Sequence, residues 1–224
     1  MTRFTSDPTD LRITGYELST YAYALAHSNY SNDGQNIRVG QNHSSGYWYV
    51  YRSFLKFDTS AIPDGDTVTA ATLGLRVLYD YTGGADFTLY VYKYNWLTVP
   101  DGYTTAHQQD VYMLLAAGAS DATDGVKEDN EASVAGKTAG SWITVDLDPA
   151  FINKAGTTGY GLRSSRDVAA TAPAGLEYQE YYAGDYPTVA YRPYLDVTHG
   201  AGGNWRVTRL YASGQLSPSP LNPL

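Results

Sequence analysis

Apolar and polar positions alternate with period two through two adjoining stretches, residues 52–58 and 67–80. In the first, Ser53, Leu55 and Phe57 share one face and Arg52, Phe54 and Lys56 the other; in the second, Ala71, Leu73, Leu75 and Val77 oppose Thr72, Gly74 and Arg76. Between them, Ile62-Pro63-Asp64-Gly65 joins a residue of fixed φ to one that tolerates positive φ, the composition of a tight turn. The pattern predicts a hairpin whose strands each have a core face and a wetter face.

The same reading places further strands at 17–24, 36–40, 47–57, 86–94, 141–147, 160–163, 175–182 and 194–198. Their spacing predicts an all-β fold, a single jelly-roll sandwich over residues 17–199, with Leu55, Phe57, Leu73, Leu75, Leu89, Val91, Val145 and Leu195 turned inward. One segment breaks the alternation. Within 105–117, Val111, Leu114 and Leu115 fall at helical spacing after Thr105 and before Gly118, which predicts one short helix. The Asp-, Glu-, Gly- and Ala-rich stretch 120–140 reads as a long surface loop. Residues 1–16 read as a polar N-terminal arm. Residues 200–224 read as a glycine linker and a Pro-rich tail, because Pro218, Pro220 and Pro223 forbid a hydrogen-bonded ladder. These extended arms are expected to dock on neighbouring subunits, the tail through Leu216, Leu221 and Leu224.

Composition supports sheet and narrows the chemistry. Twenty-two Tyr and twenty-two Gly suit pleated strands joined by turns, and the absence of Cys removes thiol catalysis and Cys-based zinc sites. A net charge of −8, with the basic residues scattered, argues against a nucleic-acid partner. No stretch approaches the roughly 20 apolar residues of a membrane span, and the N-terminal residues lack a signal-peptide core, so no secretory or membrane route is expected.

RSFLKFD at 52–58, followed by the Pro-Gly turn and TVTAATLGLRV, resembles the central hairpin of DNRLRE-type domains, β-sandwich modules of bacterial surface proteins, carbohydrate-binding modules and phage virion proteins. NIRVG at 36–40, TLYVYKYNW at 88–96 and YRPYLDVTH at 191–199 resemble further strands of that family in the same order. Asp196 departs from the pattern, standing where such closing strands carry an apolar residue. The resemblance implies the sandwich, and it implies a structural calcium ion as the one cofactor to look for, with Asp121, Asp124, Glu128 and Asp129 as candidate ligands. Those acids lack EF-hand spacing and read first as a solvated loop. Because the family shares a fold and varies in task, it leaves function open.

Catalytic motifs are missing. His27, His43, His107 and His199 have no metal-ligand spacing, Gly-x-Ser-x-Gly is absent, and Gly136-Lys137-Thr138 lacks the earlier glycine of a phosphate loop. Asp146, Asp148, Glu177 and Glu180 supply the carboxyls a glycosidase pair would need, but Asp146 and Asp148 alternate with Val145 and Leu147 as acids do on a solvent face. No enzyme is expected.

The aromatic residues carry the remaining signal. Tyr90, Tyr92 and Tyr94 lie two apart opposite Phe87, Leu89 and Val91, which predicts an exposed row for a sugar or protein ligand. Tyr47, Tyr49 and Tyr51 form a second such row, and Tyr178, Glu180 and Tyr182 part of a third. The expectation is a non-enzymatic structural or decoration protein of a tailed-phage virion, in head or tail, present in multiple copies. It would be made in the host cytoplasm and bind other virion proteins and copies of itself. The alternative is a carbohydrate-binding or receptor-binding (adhesin) domain at the cell surface that recognises polysaccharide.

Overall fold

The structure is a computed structural model in which residues 1–28, 30–32, 36–83, 85–94, 112 and 126–201 are described. Its strands are β1 (Thr2–Thr5), β2 (Leu11–Glu17), β3 (Tyr30–Asn32), β4 (Asn36–Ser44), β5 (Tyr47–Asp58), β6 (Asp66–Tyr81), β7 (Thr88–Lys93), β8 (Val126–Ser133), β9 (Trp142–Leu147), β10 (Thr157–Ser164), β11 (Leu176–Tyr182) and β12 (Tyr194–Ala201). Among the described residues two short helices accompany them, α1 (Tyr21–Ala26) and α2 (Ser165–Val168). The strands follow the order β1-β12-β6-β11-β4-β5-β10-β7-β8, with β2 on β5, β3 on β2 and β9 on β6. The fold is therefore all-β, a curled antiparallel sheet. Among the described residues no helix is long and apolar enough to cross a membrane.

Two long strands make the curl. β6 pairs with β12 and β9 through its first part and with β11 at its end, and a register shift between Glu180 and Tyr181 eases the change of partner. β5 pairs with β2 along one side, while its other side meets β4 over 47–51 and β10 over 53–58. At that fork the Ser53 hydroxyl donates to the Arg38 carbonyl at 2.7 Å and accepts from the Arg38 N–H at 3.0 Å, satisfying backbone groups where the ladders part.

The main core lies where the period-two pattern puts it. Leu55, Phe57, Leu73, Leu75, Leu89, Val91, Val145 and Leu195 are all buried in one cluster with Ile37, Val39, Tyr160 and Tyr181. The hairpin turn is present, closed by the Asp66 N–H on the Pro63 carbonyl at 2.9 Å, although Gly65 is not among the glycines of positive φ.

The face of β5 expected to be wetter is also buried. Arg52 and Phe54 are 1% and 0% exposed. A second cluster, Leu11, Ile13, Tyr21, Ala24, Val50, Phe54, Tyr92, Tyr94 and Tyr112, lies on this reverse side. Its centre is Asp167. Arg52 donates to it through Nε (2.9 Å) and Nη2 (2.8 Å), and Arg163 through Nε (2.8 Å) and Nη2 (3.0 Å). Arg52 also reaches the carbonyls of Tyr112 (2.8 Å) and Leu25 (3.4 Å), and its guanidinium lies 3.9 Å from the centre of the Tyr112 ring. Burial alone would push the Asp167 carboxyl up, but the charge of Arg52 and the hydrogen bonds from both guanidiniums outweigh it and hold the carboxyl well below its ordinary range.

Three expectations are corrected. The N-terminal arm is two strands: Thr2 to Thr5 pair with β12, Leu11 to Glu17 pair with β5, and Phe4, Leu11 and Ile13 are the apolar side chains they bury. Within 17–24 the chain turns into α1, because Thr20 caps it by accepting the Tyr23 N–H at 3.2 Å and Tyr21 and Ala24 then point inward one turn apart. Within the expected loop 120–140, Val126–Ser133 pairs with β7, and a buried Glu128 accepts the Asp148 N–H at 2.9 Å. The helix expected at 105–117 lies outside the described residues except for Tyr112.

Leu75→Ala should cost about 2–5 kcal/mol in chemical denaturation, as a fully buried leucine in a close-packed site does. Asp167→Asn should cost about 3–5 kcal/mol, because two buried guanidiniums lose their counter-charge. A carboxyl with a lowered folded pKa contributes stability that is present above the ordinary carboxylate range and is lost as pH falls below that range toward the lowered folded pKa. Thermal melts across pH should therefore show a shallower acid limb for Asp167→Asn than for the parent; equal limbs would exclude this role.

Candidate functional site

The structure does not present Tyr90, Tyr92 and Tyr94 as an exposed row. Tyr92 and Tyr94 are 6% and 4% exposed and belong to the second cluster, with Tyr90 half-buried beside them. Both faces of β7 are covered, one by the main core and the other by the Asp167 side: Tyr94 packs against Phe54 at 5.9 Å, and the Arg163 guanidinium lies 5.9 Å from the Tyr92 ring. This row is packing. Leu216, Leu221, Leu224, Asp121, Asp124, His107 and Trp96 lie outside the described residues.

The candidate acids do not converge. Glu128 is turned in and Asp129, next along the strand, is exposed. Asp146 accepts from Thr72 (2.8 Å), Asp148 from Lys93 (2.5 Å), and Glu177 from Arg166 (2.8 Å) and Gln41 (2.9 Å), while Glu180 is paired with Arg38 and Asn36. Among the described residues no cluster of His, Cys, Asp or Glu is arranged to hold a metal ion. His199 joins Asp66 (2.7 Å) and Thr2 (2.9 Å) in a chain of hydrogen bonds across β6, β12 and β1, a tie at the sheet edge. Asp196, the departure in the closing strand, receives a bidentate Arg3 at 2.7 and 2.6 Å, and that guanidinium lies 3.8 Å from the Tyr194 ring centre.

What the fold brings together is a different tyrosine surface. Tyr47, Tyr49 and Tyr51 occupy the N-terminal half of β5, on the face that becomes core at Leu55 and Phe57. Tyr16 of β2 stands in register with Tyr49, its ring 6.0 Å away and inclined by 27°; Tyr49 and Tyr51 are 6.1 Å apart at an interplanar angle of 11°. The line continues across β4 to Tyr178 of β11 (5.1 Å from Tyr51), then to Tyr81 (4.9 Å) and Tyr79 (5.9 Å) of β6. Tyr16 and Tyr79 are exposed, at 37% and 51%, while Tyr51 and Tyr178 are buried at the middle.

Gly40 makes the crossing. It pairs with both Tyr51 and Tyr178 at φ +121, and a Cβ there would lie 2.4 Å from the Glu177 carbonyl oxygen and 2.6 Å from the Tyr178 Cα. With no side chain on β4 at this point, the rings from either side meet edge to face.

Beside them is a pocket of about 250 Å³ lined by Arg12, Thr14, Tyr16, Arg38, Tyr49 and Tyr51. The Arg38 guanidinium lies 5.0 and 4.9 Å from the Tyr51 and Tyr178 ring centres, and it pairs with Glu180. Its buried Nε has no hydrogen-bond partner among the described residues. Burial pushes the Tyr178 phenol up to about 12 and that of Tyr51 in the same direction, with Arg38 opposing both shifts, so both remain protonated donors through the physiological range. The pocket thus combines aromatic walls, hydroxyl donors and guanidinium groups.

A second aromatic group sits further along β11 and β6. Tyr182, Tyr186 and Tyr191 pack together, Arg76 lies 3.7 Å from the Tyr191 ring centre, and Trp142 meets Tyr194 at 5.0 Å. Tyr194 crosses Gly74 so closely that a Cβ there would lie 2.2 Å from the ring. The row Tyr47, Tyr49, Tyr51 and the residue Tyr178 are legible in the sequence as alternation; their union with Tyr16 and Tyr81 depends on strand order and on Gly40.

Gly40→Ala should lower stability by about 1–3 kcal/mol from backbone strain alone. In NMR spectra the ring signals of Tyr51 and Tyr178 should shift most; unchanged rings would show that the crossing does not need the glycine. The chain matches no protein-family profile and no curated protein sequence.

Proposed function

We propose that this chain is a non-enzymatic sandwich of jelly-roll type that works by surface contact, as a structural or decoration component of a tailed-phage virion present in many copies. The observation that carries the reading is the tyrosine strip from Tyr47 and Tyr16 to Tyr79, continued by Arg76, Tyr191, Trp142 and Tyr194. Tyr, Trp and Arg are the residue types that dominate the energetics of protein interfaces, and here they gather on faces of the sheet. The virion setting rests on the resemblance of RSFLKFD and RPYL to modules of that kind.

The pocket favours a second reading, a carbohydrate-binding or receptor-binding domain. Tyr16 and Tyr49, which line the pocket together, offer aromatic surface for a sugar ring, and Arg12 and Arg38 suit a sugar that carries a carboxylate.

Tyr16→Ser combined with Tyr49→Ser separates the two, since neither ring is in a core cluster. The assembly reading expects the parent to self-associate in sedimentation velocity, the double variant to stay monomeric with a Tm within a few degrees of the parent, and neither to bind a panel of neutral and uronate oligosaccharides. Saccharide binding by the parent that the double variant loses, with no self-association in either, would replace it with the second reading.

A further inference from the structure

We propose that the buried carboxyl of Asp10 is a proton-dependent clasp on the seam between β5 and β12, tight while it carries a proton and loosened when it ionises. The inference goes beyond the surface-contact reading and stands apart from the tyrosine strip. Asp10 lies in the short linker 6–10 between β1 and β2 and is 1% exposed. That linker bridges two parts of the curl. The Ser6 N–H donates to the Pro193 carbonyl, just before β12, at 3.0 Å, and the Asp7 N–H to the Lys56 carbonyl of β5 at 2.9 Å, although β6, β11 and β4 separate those strands in the sheet order. Gly184, on the way from β11 to β12, completes the contact. Its N–H donates to Asp10 Oδ2 at 3.0 Å, and its backbone is packed so closely that a Cβ would lie 2.2 Å from the Asp7 carbonyl oxygen.

The surroundings suit a neutral acid. The basic side chains on the elements packed here are turned to other groups: Lys56 Nζ to Asp7 at 3.7 Å, Arg192 Nε to the Tyr186 carbonyl at 2.7 Å, and Arg12 to the wall of the tyrosine pocket. Asp7 and Asp185 are the nearby acids of the linker and of the Gly184 turn, and among the described residues no ion pair includes Asp10. Oδ1 stands 3.4 Å from the Lys56 N–H, longer than a carboxylate draws such a donor, so it is the oxygen that carries the proton. Burial pushes the carboxyl up to about 8, with Asp7 adding to the shift and the accepted hydrogen bonds opposing it.

The direction of the response follows from proton binding. In an opened clasp the carboxyl meets water and regains its ordinary range, so the closed form holds the proton over a span of pH in which the open form has lost it. Opening therefore grows by about tenfold for each unit that pH rises between the ordinary carboxylate range and about 8, and levels off above. The clasp is tight in acid and loosest in mild alkali. What it governs is the seam where the linker joins β5 to the segment that leads into β12.

In the full chain, the side-chain carboxyl carbon of Asp10 followed by carbon NMR should titrate with a midpoint of about 8. Hydrogen-exchange protection of the Ser6, Asp7 and Gly184 amides, corrected for intrinsic rate, should fall at least about tenfold from about pH 5.5 to about pH 7.5, while that of Leu55 and Leu73 in the core strands holds. Asp10→Asn, which cannot ionise, should keep the protection of Ser6 and Asp7 constant over the same range. A carboxyl that titrates in the ordinary range, or clasp amides whose protection does not change with pH in the parent, would overturn the clasp. An Asp10→Asn chain whose protection falls as the parent's does would overturn it as well. Should that variant fail to fold, the carboxyl titration and the parent's own exchange decide.

Discussion

The buried carboxylate of Asp167 is the group on which the far side of this molecule depends. A single acid with no solvent exposure takes four charge-assisted hydrogen bonds from two arginines, one on β5 and one on β10, while its own helix is capped by Ser164. Removing the carboxylate would leave two guanidinium charges without a counter-charge where water hardly reaches, and this is why such a group costs so much to break. Around it the second cluster closes. Tyr112 lies over Arg52 and donates to the Ala24 carbonyl at 2.7 Å, so the helix α1 and the strand β5 are held through one guanidinium. The network also sets the fate of β7: with a hydrogen-bonded, apolar-walled cluster on one side and the main core on the other, Tyr92 and the following Tyr94 are buried and Tyr90 is left half-buried.

That arrangement explains what could and could not be read from the amino acids. Period-two alternation identifies the inward positions of the main core well, because a leucine or valine every second residue has one physical meaning in a strand. The same alternation misassigns Arg52, whose charge reads as solvent exposure until a partner is found, and that partner lies more than a hundred residues away in a four-residue helix. Tyr92 and Tyr94 fail for a related reason. A tyrosine is compatible with surface, interface and core, and only the elements laid over it decide which. Thr20 before α1 and the buried alternation of Phe4, Leu11 and Ile13 were local signals, outweighed by the polar residues between them.

The tyrosine strip belongs to another class of feature, one that no single segment contains. Its members come from β2, β5, β11 and β6, strands brought side by side only by the path of the sheet. The glycine that lets them touch contributes no chemistry of its own. Alternation made half of the strip visible as the row on β5; the half on β11 and β6 needed the register, which depends on long-range pairing. The jelly-roll reading has the same limit, since strand count is local and strand order is not.

β5 has a consequence for folding fidelity. Its one face passes from tyrosines to Leu55 and Phe57, and its other carries Val50, Arg52 and Phe54 into the second cluster, so the strand has almost no indifferent position. A pairing slip by one residue would exchange these sets and drive a guanidinium into the aliphatic core while pulling Leu55 and Phe57 away from it. Strands with one wet face can tolerate brief misalignment; this one cannot. The arginine at its centre acts as an alignment key, and the native register of the four strands that touch β5, directly or through β2, is protected by the penalty for every other.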